Sequence, residues 1–443
     1  MKKFTMAKTI VSLFLAIALT GIAGPAFCAD EPDIKGAPEK IKIGVVTFLS
    51  GPASSPFGIP GRNSARVMVD TLNQGEVPAP YDKHKGIGGV PIEIKVIDEA
   101  GGADAQVSEY RRMVLDEEVD LVIGYISSAD ALAVAPVAEE LKTLTIIYDA
   151  GTNRLFEEDD FEYVFRTKAH QIIDSVGAAK YIMERFPEAK TIAGINQDYA
   201  WGHDNWKAFK ASMKALNPDI EVSAELFPEI YSGDYSAEIS SLLRKRPDII
   251  HTSLWGGDLE GFLIQAMSRG LHEQSTIVAT CGDPILPRLE GQLNEGIVIG
   301  ARGPHGSLGP RNDFDKWFRE AFRAEIGERP VYPAYHMAQA FLGVKNAYEK
   351  ALAKNDSKKW PDMKQVREAM KNSKFETPSG EISLSIGGGH QGVEPSAYGI
   401  TTGDLDSDTG EVILKDKMEF PVEEVNPPDG VDSLEWIESG FER

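Results

Sequence analysis

Residues 123–131 read IGYISSADA and follow the apolar pair Leu121-Val122. A strand that ends in a serine pair and enters an alanine-rich helix offers free backbone N–H groups, two hydroxyls and the positive end of a helix dipole. These are the components of a carboxylate site. For an isolated serine pair the simpler role is an N-cap. A second loop, Tyr148-Asp149-Ala150-Gly151-Thr152-Asn153, follows the next predicted strand and falls beside the first in a parallel sheet, adding another hydroxyl and further N–H groups. The pair is therefore expected to divide its work, with Ser127 or Ser128 capping the helix and the other binding an anionic ligand group.

Other chemistries lack their motifs. No GxGxxG links a strand to a helix, and GxxxxGK[ST] is absent, so the glycine loops that cradle nucleotide phosphates are missing. His305-Gly306-Ser307-Leu308-Gly309 has the wrong spacing for a nucleophile elbow. The eight histidines are scattered, without HExxH or a Cys/His cluster of metal spacing. The expectation is a non-enzyme with no cofactor and no metal.

The elements that must carry these loops alternate in type, which points to parallel sheets covered on both faces. IKIGVVTF (41–48) reads as a buried strand and GRNSARVMVDTLNQ (61–74) as the helix after it. Strand PIEIKVID, helix DAQVSEYRRMVLDEE, strand DLVIGYI, helix ADALAVAPVAEELK and strand TLTIIYD complete a first α/β set. The pattern restarts at IIDSVGAAKYIMERF (172–186) and runs to strand STIVAT (275–280). Helical stretches at 312–326 and 334–353 then interrupt it, and short strands such as EISLSI and VILKD finish the chain. Two such lobes place a ligand cleft between the carboxyl ends of their sheets.

With 443 residues and 42% hydrophobic content, the chain is long enough for two or three substantial cores. It opens MKKFTMAKTIVSLFLAIALTGIAGPAFCA, with early lysines, an apolar stretch from Ile10 to Leu19 and then small residues. That is the pattern of a secretory signal peptide, shorter than the ~20 apolar residues a spanning helix requires. Cleavage after Ala26 or Cys28 fits the small-residue rule, and lipidation at Cys28 is disfavoured by bulky Phe27. The net charge of −22 disfavours nucleic acid and anionic membrane surfaces. Of two cysteines, cleavage after Cys28 leaves only Cys281, so no intramolecular disulfide forms.

Several stretches resemble the Leu/Ile/Val-binding type of periplasmic substrate-binding protein of ABC transporters: IKIGVVTFLSGPASSPFG, KGIGGVPIEIKVIDEAG, VIGYISSADALAVAPVAEELKTLTIIYDAGT, NQDYAWGHDNWKAFK and YSGDYSAEISSLLRKRPDII, in that order. The resemblance implies an α/β fold of two Rossmann-like lobes joined by a three-crossover hinge, with crossings near Arg166, Ala301 and Thr377. It divides the chain into a signal peptide (1–28), a linker (29–40), lobe 1 (41–165 and 302–376), lobe 2 (166–301 and 377–430) and a C-terminal tail (431–443).

Residue by residue, it implies that Ser128 holds the ligand carboxylate through its hydroxyl, with Ala150 and Thr152 assisting. Phe57 is expected to line the pocket mouth, Trp201 and Trp255 the second lobe, and Asp283 to pair with a ligand ammonium. The implied protein is a monomeric periplasmic receptor that delivers a small amino acid or related carboxylate to an ABC permease and its ATPase. A soluble ligand sensor of the same fold is the alternative.

Overall fold

The computed structural model describes residues 34–442 apart from 290 and 408–409. The signal peptide, its cleavage position and Cys28 lie outside the described residues. Strand β1 (Ile41–Thr47) shows why the first sheet is parallel. Ile41, Ile43 and Val45 enter one hydrophobic cluster and Val46 another on the opposite face, because successive side chains alternate across the pleat. A strand buried on both faces needs helices on both. Ile59–Gln74 and Tyr332–Lys354 supply one layer, and Ala103–Leu115 and Ser128–Leu141 the other.

Strands β2 (Ile92–Asp98), β3 (Leu121–Gly124), β4 (Thr145–Ile147) and β5 (Val164–Arg166) join β1 in parallel, in the order β5-β4-β3-β1-β2. The second sheet repeats the scheme with β6 (Thr191–Ile195), β7 (Glu221–Leu226), β8 (Ile249–Thr252), β9 (Thr276–Ala279) and β10 (Val298–Gly300), ordered β10-β9-β8-β6-β7. Gly194 in β6 is glycine because a Cβ there would lie 2.5 Å from the ring of Trp206. The absence of that side chain lets the indole lie flat on the sheet.

The last strands correct the expected boundaries. Strands β11 (Lys374–Thr377), β12 (Gly380–Ile386) and β13 (Gln391–Val393) extend the first sheet through β5, and only β14 (Ser396–Leu405), antiparallel to β10, and β15 (Val412–Phe420), antiparallel to β14, join the second. The third crossing is therefore at Glu394-Pro395, and not near Thr377. Phe375, Ile382 and Leu384 are buried in the first lobe's core, which holds the hairpin there. Residues 431–443 are likewise more than a tail. Their helix, Ser433–Glu438, buries Trp436 and Ile437 in the second lobe's core against helix Ala200–Leu216.

Candidate functional site

The two serines sit where β3 gives way to helix Ser128–Leu141. Ser127 has extended backbone (φ −71°, ψ 126°) and its Oγ accepts from Asp130 N at 3.4 Å, so Ser127 is the N-cap. Ser128 Oγ accepts from Thr152 N at 3.2 Å, which ties the loop after β3 to the loop after β4. The expectation of free N–H groups here is corrected. Ile126 N and Ser127 N donate to the Glu99 carboxylate at distances of 2.7 to 2.9 Å. Glu99 follows β2 and is fully buried. Burial, reinforced by the Asp130 carboxylate, pushes its pKa well above the usual range, against the pull of the two N–H groups. An internal carboxylate thus occupies the anion hole that the strand end offers.

The rest of the second loop is committed as well. Ala150 O and Thr152 O both accept from Arg166 Nη1, at 2.9 and 2.8 Å, and Thr152 Oγ1 donates to Asp204 Oδ2 at 2.8 Å across the lobes.

Aromatic side chains build the cleft between the lobes. Trp201, in the first turn of its helix, donates Nε1 to Ser253 O at 2.8 Å, and Trp255 donates to Tyr199 Oη at 2.8 Å. Phe57 meets Trp255 edge-on at 5.2 Å and Tyr332 at 5.3 Å. Phe57, Trp201 and Trp255 therefore come together, lining the cleft with Ile126, Asp149, Gly151, Tyr199, Cys281, Arg302 and Tyr332.

Arg302, at the second crossing, is the principal residue missed from sequence. Its guanidinium carbon stands 4.5 Å from the Trp201 ring centroid and 5.6 Å from that of Tyr332, within cation–π range. Nη1 donates to Asp149 O at 3.0 Å and Oδ1 at 3.2 Å, and Nε to Asp174 Oδ2 at 3.3 Å. Nη2 is buried without a partner. Burial opposes the charge, but Asp149, Tyr332 and Asp174 raise the pKa well above the arginine value. The backbone of Arg302 is left-handed (φ +53°), a conformation uncommon outside glycine and frequent at functional sites. Its one sequence signal is an arginine between glycines, GARGPHG, at an expected crossing.

Asp283 does not reach the cleft, which corrects its expected role. It is fully buried, its Oδ1 accepting from Ser307 N and its Oδ2 from Tyr332 N, both at 2.9 Å. The acid after β9 is thus spent on the backbone at the start of helix Tyr332–Lys354, and Cys281 takes the place at the cleft wall. Only about 10 Å³ of cavity remains there, about enough for one water. The lobes are closed on each other, with Gly257 N donating to Pro52 O at 3.1 Å. A wider groove of about 760 Å³ lies among Pro284, Pro287, Arg288, Phe322 and Arg329, and none of the cleft aromatics lines it.

Beneath the cleft, charged groups gather at the crossings. His336 Nδ1 meets Asp149 Oδ1 at 2.5 Å, His305 Nδ1 meets Ser379 Oγ at 2.5 Å, and His305 Nε2 lies 3.1 Å from Glu394 Oε2. His305, His336 and Glu394 bring three potential ligand atoms within 4.8 Å of one another, the one group of metal-ligand spacing among the described residues. Each already has protein partners, Glu394 also accepting from Ala169 N at 2.8 Å. Lys168 beside them is buried, and burial followed by Arg302 lowers its pKa to about 7.

Two closed α/β lobes with aromatic walls and three crossings describe a receptor clamp, and comparison with known proteins agrees. The family model described as periplasmic binding protein matches residues 40–401. The chain belongs to this family. Members are solute-binding receptors rather than catalysts. Among relatives of this periplasmic binding protein, the leucine-, isoleucine-, valine-, threonine- and alanine-binding protein of Pseudomonas aeruginosa is 24% identical over 405 residues, covering 90% of this chain and 97% of its own. A solute-binding protein of an ABC transporter from R. palustris, solved with benzoate, superposes with a TM-score of 0.73 at 17% identity, over 89% of this chain and 99% of its own. The branched-chain amino acid transporter substrate-binding protein of Streptococcus pneumoniae, solved with isoleucine, gives a TM-score of 0.69 at 20% identity, over 86% and 99%. No helix of the described residues is long and apolar enough to cross a membrane.

Proposed function

We propose that this receptor works in the periplasm, exported by its signal peptide, and closes as a monomer around a flat carboxylate that it hands to an ABC permease. The observation that carries the ligand class is Arg302. Its unpartnered Nη2 lies in a cleft walled by Phe57, Trp201, Trp255 and Tyr332, while the acid expected for an ammonium, Asp283, is turned away. A guanidinium between aromatic faces suits a ring that carries a carboxylate. Ser128 and Thr152, which the family resemblance assigns to the carboxylate, do not line the closed cleft; their neighbours Ile126 and Gly151 do. With so little space in the closed cleft, the lobes must part for the ligand to enter.

A second reading, an α-amino acid, is favoured by Asp149. Its buried Oδ2 has no partner, and Asp149 lines the same cleft. Calorimetric titration with benzoate, 4-hydroxybenzoate, phenylalanine and leucine separates the two. The first reading expects the aromatic acids to bind and Arg302→Gln to weaken them by about ten- to a hundredfold, the loss of one charge-assisted hydrogen bond. Tight binding of leucine or phenylalanine that Asp149→Asn abolishes would establish the second reading in its place.

A further inference from the structure

On the hinge side of the molecule a separate cavity of about 320 Å³ opens between β13, the loop after β4 and the segment 427–432. Arg166, His170 and Gln391, all buried, form its floor. Arg166 donates Nη1 to Ala150 O and Thr152 O and Nε to Gln391 Oε1 at 2.5 Å, and its Nη2 has no partner. No carboxylate lies within ion-pair distance of Arg166 among the described residues. A fully buried guanidinium that forms no ion pair is stabilised when an anion joins it. Burial, followed by Arg302, lowers its pKa to about 9, against the opposing charge of Glu157.

The rim has the opposite sign. Glu157, Asp160, Asp429 and Asp432 line the cavity. Asp429 accepts from Gly388 N at 3.2 Å and Asp432 caps the last helix, whereas Asp160 makes no hydrogen bond or ion pair among the described residues. A simple anion is repelled by this rim and a simple cation by the floor. We propose that the hinge cavity is a second ligand site, for a small zwitterion of the α-amino acid class. Its carboxylate meets Arg166 and its ammonium the rim acids, with the Phe156 ring, 5.6 Å from the guanidinium, as an apolar wall. The same arginine holds the loop 150–152 that borders the cleft, so occupancy at the hinge and affinity in the cleft are thermodynamically linked.

Equilibrium dialysis with labelled glycine and alanine tests the assignment. Val431 lines the cavity and is 39% exposed, so Val431→Trp fills the space without touching Arg166. Wild type and Arg302→Gln are expected to bind one saturable equivalent that Val431→Trp loses, with circular dichroism confirming that both variants fold. Asp160→Lys, at the rim, is expected to weaken that equivalent at least tenfold. Acetate and methylammonium are expected to compete poorly. The proposal is overturned if wild type binds neither amino acid, if Val431→Trp binds as many equivalents as wild type, or if acetate competes as well as glycine.

Discussion

The guanidinium of Arg302 lies over the indole of Trp201, its carbon 4.5 Å from the ring centroid, and Gly151 of the first lobe packs against both. A Cβ on Gly151 would fall 2.2 Å from Arg302 Nη2 and 2.3 Å from Trp201 Cζ3. One residue from each half of the clamp and one from the crossing thus share a single close contact. Gly151→Ala is expected to hold the lobes apart, giving a larger radius of gyration than wild type in solution scattering. Trp201→Ala removes the cation–π partner, worth about 0.5 to 2 kcal/mol, and should weaken any cleft ligand more than Trp201→Phe does. Equal affinities for the two variants by calorimetry would take the aromatic face out of the site.

Ser127 and Ser128 have separable roles. Ser127→Ala removes the cap on Asp130 N and should lower the free energy of unfolding by about 1 kcal/mol, read from urea denaturation, with ligand affinity unchanged. Ser128→Ala removes the bridge to Thr152 N and should weaken ligand binding about tenfold. Unchanged binding in Ser128→Ala would make it purely a loop tie.

Asp283→Asn should act on stability and not on ligand. Its two carboxylate oxygens each take one backbone N–H, and hydrogen bonds to a charged group contribute about 1.5 to 3 kcal/mol apiece. Because an amide can accept through only one oxygen, a loss of about 2 kcal/mol is expected in denaturation. A selective loss of amino-acid affinity with normal stability would restore Asp283 to the site.

Lys168 should make stability rise with pH. Burial, then Arg302, lowers its folded pKa to about 7, below the ~10.4 of an unfolded chain. Between those values the unfolded state holds a proton that the folded state lacks, so unfolding becomes harder as pH increases, by up to about 1.4 kcal/mol per pH unit. Below about pH 7 both states are protonated and the full destabilisation remains. Urea unfolding at about pH 7 and about pH 9 should show this gain in wild type and its absence in Lys168→Met.

The two α/β lobes and the alternation from β1 to β10 were legible in the sequence alone, whereas the aromatic cleft residues were implied by the family resemblance. Lobes and alternation rest on local patterns: pleat alternation in IKIGVVT and helical spacing in ADALAVAPVAEELK. Short-range order also sufficed for Ser127, whose cap partner Asp130 is three residues away. Tertiary structure decided the contacts between residues far apart in the chain. Glu99 reaches the serine loop because β1 lies between β2 and β3, so the loops at their carboxyl ends converge. Asp283 is claimed by Ser307 and Tyr332, 24 and 49 residues further on. The hairpin after Thr377 stays with the first sheet because its apolar residues complete that core. Arg302 becomes the cleft cation only when the second crossing sets it against Trp201, Asp149 and Asp174 together. Periodicity reports which face of an element is buried, and it carries no information on which distant group will meet a buried charge.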